Sequence, residues 1–246
     1  QPISILAVGT RSTAGVQCCE GLSCTFGDPV ARACAWPSRF GAWLTNTYAP
    51  AHTEITVHVQ SVDDIQMKDL MFQLDNVPLT GDTPHTEGGS IYGGEWDPSQ
   101  FDLVILDMSN FDMQTFRISS QWPDAEVQVA GLAKRALGLK KHPAVLYLNT
   151  VQPFQNGQVE VWPAQEKLEG VVINALEPLG VPVVSYVQAV KPYFEAPLSE
   201  HRHGSKLPAP YWGGHYAGPG AHQLLADLLA YTWVQEAEKL YSNTSP

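Results

Sequence analysis

The chain has 246 residues, of which 44% are hydrophobic and only 16% charged, and its formal net charge is −11. That length suits one well-packed domain, and the composition excludes a disordered chain, a collagen and a coiled coil. An acidic balance repels phosphate, which excludes nucleic acid and anionic membrane as natural partners, and no apolar run approaches the ~18 residues of a membrane span.

Elements alternate along the chain. Ile3–Val8 (ISILAV) is a continuous apolar run ending at Gly9, which predicts a buried parallel strand. A cysteine-rich loop follows. Ser38–Tyr48 carries Phe40, Trp43 and Leu44 at helical spacing just after Pro37. Glu54–Val59 alternates like a strand. Asp64–Leu74 places Ile65, Met67, Leu70, Met71 and Leu74 at helical intervals. Asp75–Gln100 is rich in Gly, Pro and Asp and is longer than ordinary loops, so a functional or glycan-facing excursion is expected.

Leu103–Leu106 predicts the next buried strand, Glu126–Leu139 a helix, and Ala144–Asn149 a strand. The pair Lys140-Lys141 is the densest basic spot and is expected to end that helix. Pro163–Leu179 predicts a helix stopped by Gly180, and Val181–Val187 a strand. Lys191–Gly220 reads as irregular and holds most of the histidines; Ala221–Leu240 is the last helix. This order implies one α/β domain over residues 1–246. Its architecture is a three-layer α/β/α sandwich around a five-stranded parallel sheet, flavodoxin-like in style. Chemistry in such a sheet sits at the carboxyl ends of the strands. The places to inspect are therefore Gly9–Gly15, Ser61–Gln66, Asp107–Asp112 and the loop before the last helix.

Cys18, Cys19, Cys24 and Cys34 are the four cysteines. A bridge between neighbours would be strained, so Cys18 and Cys19 are each expected to pair with Cys24 or Cys34. Zinc spacing is poor, since Cys19-x₄-Cys24 has no second such pair after it. The chain opens at Gln1 rather than Met, which reads as a mature chain with its leader removed. Asn243-Thr244-Ser245 is a glycosylation sequon. Together these features predict a secreted or cell-surface protein.

Three segments resemble one family. Residues 5–16 (ILAVGTRSTAGV) resemble the opening block of the SGNH, or GDSL-type, hydrolases, a strand followed by Gly-Asp-Ser-x-Thr-Ala-Gly. Residues 101–113 (FDLVILDMSNFDM) resemble the block that ends in Gly-x-Asn-Asp. Residues 212–231 (WGGHYAGPGAHQLLADLLAY) resemble the last block, where Asp-x-x-His-Pro precedes a helix. The resemblance implies the fold above and a family of esterases. In these a Ser attacks an acyl carbonyl, a His takes its proton, an Asp orients the His, and a Gly and an Asn help hold the oxyanion.

The functional positions depart from that pattern. Gly9, Thr13, Ala14 and Gly15 match the first block, but Arg11 stands at the nucleophile and Ser12 falls one residue late. One residue turns a side chain by about 100° on entering a helix, whereas catalysis needs ~3 Å contact with the base. Asp63 and Asp64 occupy the region where a Gly is expected, and a carboxylate there repels an oxyanion. Phe111 falls on the Asn, with Asn110 one place early. His215 matches the base, but Trp212 replaces its Asp partner. Asp107, Asp112 and Asp227 are alternative orienting acids that the sequence does not rank. A triad acts as a unit, so these replacements predict a retained fold with lost hydrolysis.

Other candidates have bland readings beside the sharp ones. Ser12 suits a helix N-cap, and Arg11 suits either an ion pair with Asp63, Asp64 or Asp112, or an anionic ligand such as a uronate or sulfate. His201, His203, His215 and His222 suggest a metal only weakly, because the first two lie in a polar loop; no metal or cofactor is expected. His222 is expected on the surface or cap of the last helix. Trp36, Tyr92, Trp96, Trp122, Trp162, Tyr211 and Trp212 are candidates for stacking on sugar rings, against the commoner role of core packing.

The residues therefore predict a secreted pseudoenzyme that binds a glycan or another extracellular protein, including copies of itself. An active esterase or acyltransferase using Ser12 and His215 is the alternative.

Overall fold

Ile3–Gly9 forms the first strand (β1), and both its faces are covered, which is why its sequence is a continuous apolar run rather than an alternating one. The structure, a computed structural model, describes residues 2–16, 18–19, 24, 28–48, 54–61, 100–107, 122–150, 162–195 and 217–243. After β1 come two helices, α1 (Pro29–Cys34) and α2 (Trp36–Tyr48), and then strand β2 (Ile55–Ser61). Strand β3 (Leu103–Asp107) leads to α3 (Trp122–Leu137), β4 (Ala144–Asn149) and α4 (Trp162–Leu176). A single 3₁₀ turn (Glu177–Leu179), β5 (Val183–Ser185), α5 (Tyr186–Glu195) and α6 (Pro219–Asn243) complete the described elements.

All the strand pairs are parallel, and the order is β2-β1-β3-β4-β5. Successive strand residues face opposite ways. Leu6, Val8, Val104 and Leu106 therefore pack with Val129, Leu132 and Ala136 of α3 and Leu168 and Val172 of α4. Ile5, Ala7, Leu103 and Ile105 face the other side, with Phe40 and Leu44 of α2, Val187 of α5, and Leu225 and Leu229 of α6. Each fully buried Leu, Ile or Phe contributes about 1.5–3 kcal/mol. The result is the expected three-layer α/β/α sandwich with a five-stranded parallel sheet.

Local signals account for several boundaries. Asp28 caps α1, accepting a hydrogen bond from the Val30 amide at 2.8 Å, with Pro29 in the first turn. Gly180 closes the helical stretch after α4 in a left-handed conformation, at φ 66°.

Some boundaries differ from the sequence reading. The cysteine-rich loop contains α1, which its few apolar positions conceal. β5 is only three residues long, because Tyr186 already begins α5, and that helix extends into the stretch expected to be irregular. α3 ends at Leu137, so Lys140 and Lys141 lie in the turn beyond it, where Lys141 pairs with Asp102. The helix expected over Asp64–Leu74 lies outside the described residues. So does the Gly-rich segment from Asp75 onward, save Gln100.

The disulfides follow the expected rule: Cys18 bonds Cys34 and Cys19 bonds Cys24, each with Cα atoms 5.7 Å apart. Among the described residues no helix is long and apolar enough to cross a membrane.

Candidate functional site

The strand order reverses between β1 and β3, so their carboxyl ends flank the switch point where open α/β sheets bind ligands. Gly9 ends β1 there, in register with Ser61 of β2 on one side and Asp107 of β3 on the other. A side chain at Gly9 does not fit. A Cβ would stand 1.9 Å from Thr13 Oγ1 and 2.7 Å from the Asp107 carbonyl oxygen. The chain then turns sharply, with the amides of Ala14, Gly15 and Val16 bonding back to the carbonyls of Thr10, Ser12 and Arg11. Gly15 closes that turn at φ 79°, a conformation that favours glycine.

This turn folds Thr13 over Gly9, where its hydroxyl donates to Asp107 Oδ2 at 2.6 Å. The Trp36 indole N–H donates to the same oxygen at 3.1 Å, and Thr150 Oγ1 donates to Oδ1 at 3.0 Å. Asp107 is thus a wholly buried carboxyl held by the β1 turn, the start of α2 and the end of β4. Burial pushes its pKa up, and the three donors offset that only in part.

Trp36 also donates its backbone N–H to His222 Nδ1, at 3.2 Å. Since Nδ1 accepts, the ring proton of neutral His222 resides on Nε2. Burial, with the Arg39 charge behind it, lowers the His222 pKa to about 3, and the Ala217 backbone opposes this weakly although no hydrogen bond of ordinary geometry reaches Nε2. His222 is therefore a core residue and not the surface or cap residue expected. The reason is that α6 begins two residues earlier than its periodicity suggests, and its first turn packs on Trp36. Trp36 is likewise buried, so it is not available for stacking on a sugar.

The predicted site residues divide sharply. Arg11 is half-buried and has an interaction of its own within the chain. Ser12 is 0% exposed, and its Oγ has no hydrogen-bond partner among the described residues. Thr10 and Ser61 are also buried, with no hydrogen-bond partner for either hydroxyl among the described residues. Asp63, Asp64, Phe111, Trp212 and His215 lie outside the described residues, as do Asn110, Asp112, His201, His203, Tyr92, Trp96 and Tyr211. Asp227 is engaged on α6 by the Gln223 side chain at 2.8 Å. No group of His, Cys, Asp and Glu among the described residues is placed to hold a metal.

A second polar cluster sits at the ends of β4 and β5. Glu169 of α4 is 3% exposed, and its Oε2 accepts from Asn149 Nδ2 at 2.8 Å and Ser185 Oγ at 2.9 Å. Burial raises its pKa; Ser185, Asn149 and Gln188 pull it down, and Glu166 adds a smaller push upward. Neither this cluster nor the Trp36 network was foreseen. The available signal was an ionisable or amide residue ending an otherwise apolar strand, as Asp107 and Asn149 do.

The sequence matches no protein-family model and no curated protein. Solved structures do match. A two-domain esterase active on acetylated mannans, co-crystallised with mannopentaose, superposes with a TM-score of 0.59 at 17% identity. That alignment covers 95% of this chain and 49% of the esterase, so the chain spans about half its length. A catalytic mutant of an acetylxylan esterase from Geobacillus stearothermophilus gives 0.58 at 13% identity, covering 92% of each chain. A lipase from a goat rumen metagenome gives 0.57 at 13%, covering 93% of this chain and 96% of that one. The likeness is one of fold: these esterase and lipase structures share the overall α/β arrangement of this chain. The two disulfides are compatible with an extracellular location.

Proposed function

We propose that this chain is a non-catalytic, hydrolase-derived domain that acts outside the cell in binding or assembly. The observation that carries this reading is at the switch point. Arg11 stands where the SGNH motif has its nucleophile, and the adjacent Ser12 is fully buried, with no hydrogen-bond partner for its Oγ among the described residues. A nucleophilic serine needs a base within hydrogen-bond reach and a path for the acyl group. The sequence adds support: Phe111, Trp212 and the Asp63-Asp64 pair stand where the motif has Asn, Asp and a Gly. A glycan is the favoured partner, because two of the superposed structures are esterases of acetylated mannan and xylan. A protein partner, including a second copy, is the other class. The four bridged cysteines and the Asn243 sequon support secretion.

One observation favours a second reading. The structures that share the fold are described as esterases and a lipase. An active esterase or acyltransferase would use Ser12 with His215, after a movement that opens Ser12. Acetate release from acetylated xylan and acetylated mannan separates the two readings. The proposal expects no release above the buffer rate over hours, with the chain retained on the polysaccharide. Release that disappears in Ser12→Ala would establish the esterase instead.

A further inference from the structure

Charge is unevenly spread along this acidic chain. None of its 25 acidic residues lies between Glu126 and Glu160, whereas four of its 14 Lys and Arg do: Lys134, Arg135, Lys140 and Lys141. The last turn of α3 holds the first pair, and the turn leading to β4 holds the second. Cations in a final turn complement the helix dipole, which accounts for Lys134 and Arg135 but not for the pair beyond the helix. The backbone folds the two pairs towards each other. The Gly138 amide bonds back to the Lys134 carbonyl at 2.9 Å, and the His142 amide to the Leu139 carbonyl at 2.7 Å. One helical turn plus two Cα–Cα steps keeps the Cα atoms of Lys134 and Lys140 within roughly 14 Å. Arg135 is half-buried and bonds the Gly131 carbonyl at 3.3 Å. Lys141 pairs with Asp102, whose other oxygen accepts from the Ser4 amide at 2.9 Å, so that carboxylate is already neutralised. Lys134 and Lys140 are exposed and have no ion pair or hydrogen bond among the described residues. They are surplus positive charge, with the exposed His142 beside them.

We propose that this surface, anchored by Lys134 and Lys140, docks a linear acidic polysaccharide. It rests on the glycan-binding reading above and adds to it a surface remote from the crevice. β3 and β4 begin beside the patch, at Leu103 and Ala144, so it lies at the amino ends of the strands, whereas the crevice lies at their carboxyl ends. Five or six strand residues at about 3.3 Å each set the two roughly 16–20 Å apart, so both can be occupied at once. Charge complementarity selects the partner. At physiological ionic strength the screening length is about 8 Å, so an anionic group on the patch is governed by the lysines there more than by the acidic remainder of the chain. Ammonium groups are point charges without the planar fork of a guanidinium, so they read charge and spacing rather than oxyanion shape. A polysaccharide with about one charge per sugar suffers less repulsion from that acidic remainder than a nucleic-acid duplex with one charge per ~1.7 Å.

The test is calorimetric titration of the folded chain, at low salt, with polygalacturonate and with its fully methyl-esterified, neutral form. The acidic polymer is expected to bind about ten-fold or more tightly, with a preference that shrinks as salt is raised. Lys134→Glu with Lys140→Glu is expected to erase the preference. Lys167→Glu with Lys239→Glu makes the same change in net charge at exposed lysines elsewhere and is expected to keep it. Thermal melts verify that both variants are folded, and the wild-type comparison stands without them. Equal binding of the two polymers by the wild type would overturn the acidic-polysaccharide inference and leave the glycan reading to retention on xylan and mannan. Equal loss in the two double variants would overturn it as well, since net charge rather than this surface would then decide. Tighter binding of a DNA duplex than of polygalacturonate would overturn the choice of partner. No binding to either polymer, together with no retention on xylan or mannan, would overturn both readings.

Discussion

Trp36 and Asp107 are 71 positions apart in the chain, and the indole N–H of the first donates to the buried carboxyl of the second at 3.1 Å. The same tryptophan uses its backbone N–H to hold His222 at the start of α6. One residue thereby fixes the first turn of α2 against β3 and α6 at the rim of the crevice. Trp36→Phe removes the indole donor and leaves a small cavity. It is expected to destabilise the fold by about 2–4 kcal/mol. For a chain of this length that lowers Tm by roughly 4–16 °C. Denaturant unfolding at constant m-value is the check, and an unchanged midpoint would contradict the role given to Trp36.

The glycines separate by what surrounds them. Gly9→Ala drives a Cβ to 1.9 Å from Thr13 Oγ1 and 2.7 Å from a backbone oxygen. It should cost more than about 3 kcal/mol or prevent folding, because the Thr13–Asp107 bond has nowhere to move. Gly170, inside α4, meets nothing within 4 Å. Gly170→Ala should stabilise by roughly 0.5–1 kcal/mol through helix propensity alone. Paired thermal melts read both, and equal effects would refute the packing described around Gly9.

The two disulfides should differ in worth. Cys18–Cys34 closes a separation of 16 residues and Cys19–Cys24 one of 5. Loop-closure entropy gives about 3 kcal/mol for the first and about 2 kcal/mol for the second. Cys18→Ser with Cys34→Ser should lower the unfolding free energy more than Cys19→Ser with Cys24→Ser. The first pair also flanks α1 and adjoins Trp36, so its loss should loosen the Trp36 amide to hydrogen exchange; protection unchanged from wild type would count against that coupling.

The pH dependence of stability should have two limbs. His222 titrates near 3 in the folded chain and near 6.5 when unfolded. Between those values the unfolded chain binds more protons, so stability is complete above about pH 6.5 and is lost as pH falls towards 3. The loss approaches about 5 kcal/mol if the shift is fully expressed. Asp107 and Glu169 act in the opposite sense, because their folded pKa values are raised. Above the unfolded carboxyl value the folded chain holds more protons than the unfolded one, so their contribution declines as pH rises through the raised values. His222→Asn supplies an oxygen in place of Nδ1 and should flatten the acidic limb. Asp107→Asn should flatten the other. Unfolding free energies measured from pH 4 to 8 check both, and an acidic limb that survives in His222→Asn would refute the assignment.

Much of the sheet was legible because its signal is local. Continuous apolar runs at Ile3–Val8, Leu103–Leu106 and Ala144–Asn149 mark strands covered on both faces, and the structure has strands at all three. The β5–α5 boundary is not legible because VPVVSYV is apolar apart from Ser185, and periodicity in so short a run does not distinguish a strand entering a helix from a longer strand. The polar network was invisible for a different reason. Thr13, Trp36, Asp107, Thr150 and His222 are scattered over the chain, and only the sheet order and the packing of α2 and α6 bring them together. Spacing rules report what lies within a few turns; they carry no information about a contact across 186 positions such as Trp36–His222.

The central claim is that the hydrolase fold persists here without a working nucleophile. Intact-mass spectrometry after incubation with a fluorophosphonate, which labels activated serines, tests it most directly. The account predicts no adduct on the folded chain while an active SGNH esterase in the same tube is fully labelled. A single stoichiometric adduct mapped to Ser12 would contradict it and make this an esterase whose nucleophile lies one residue beyond the usual place.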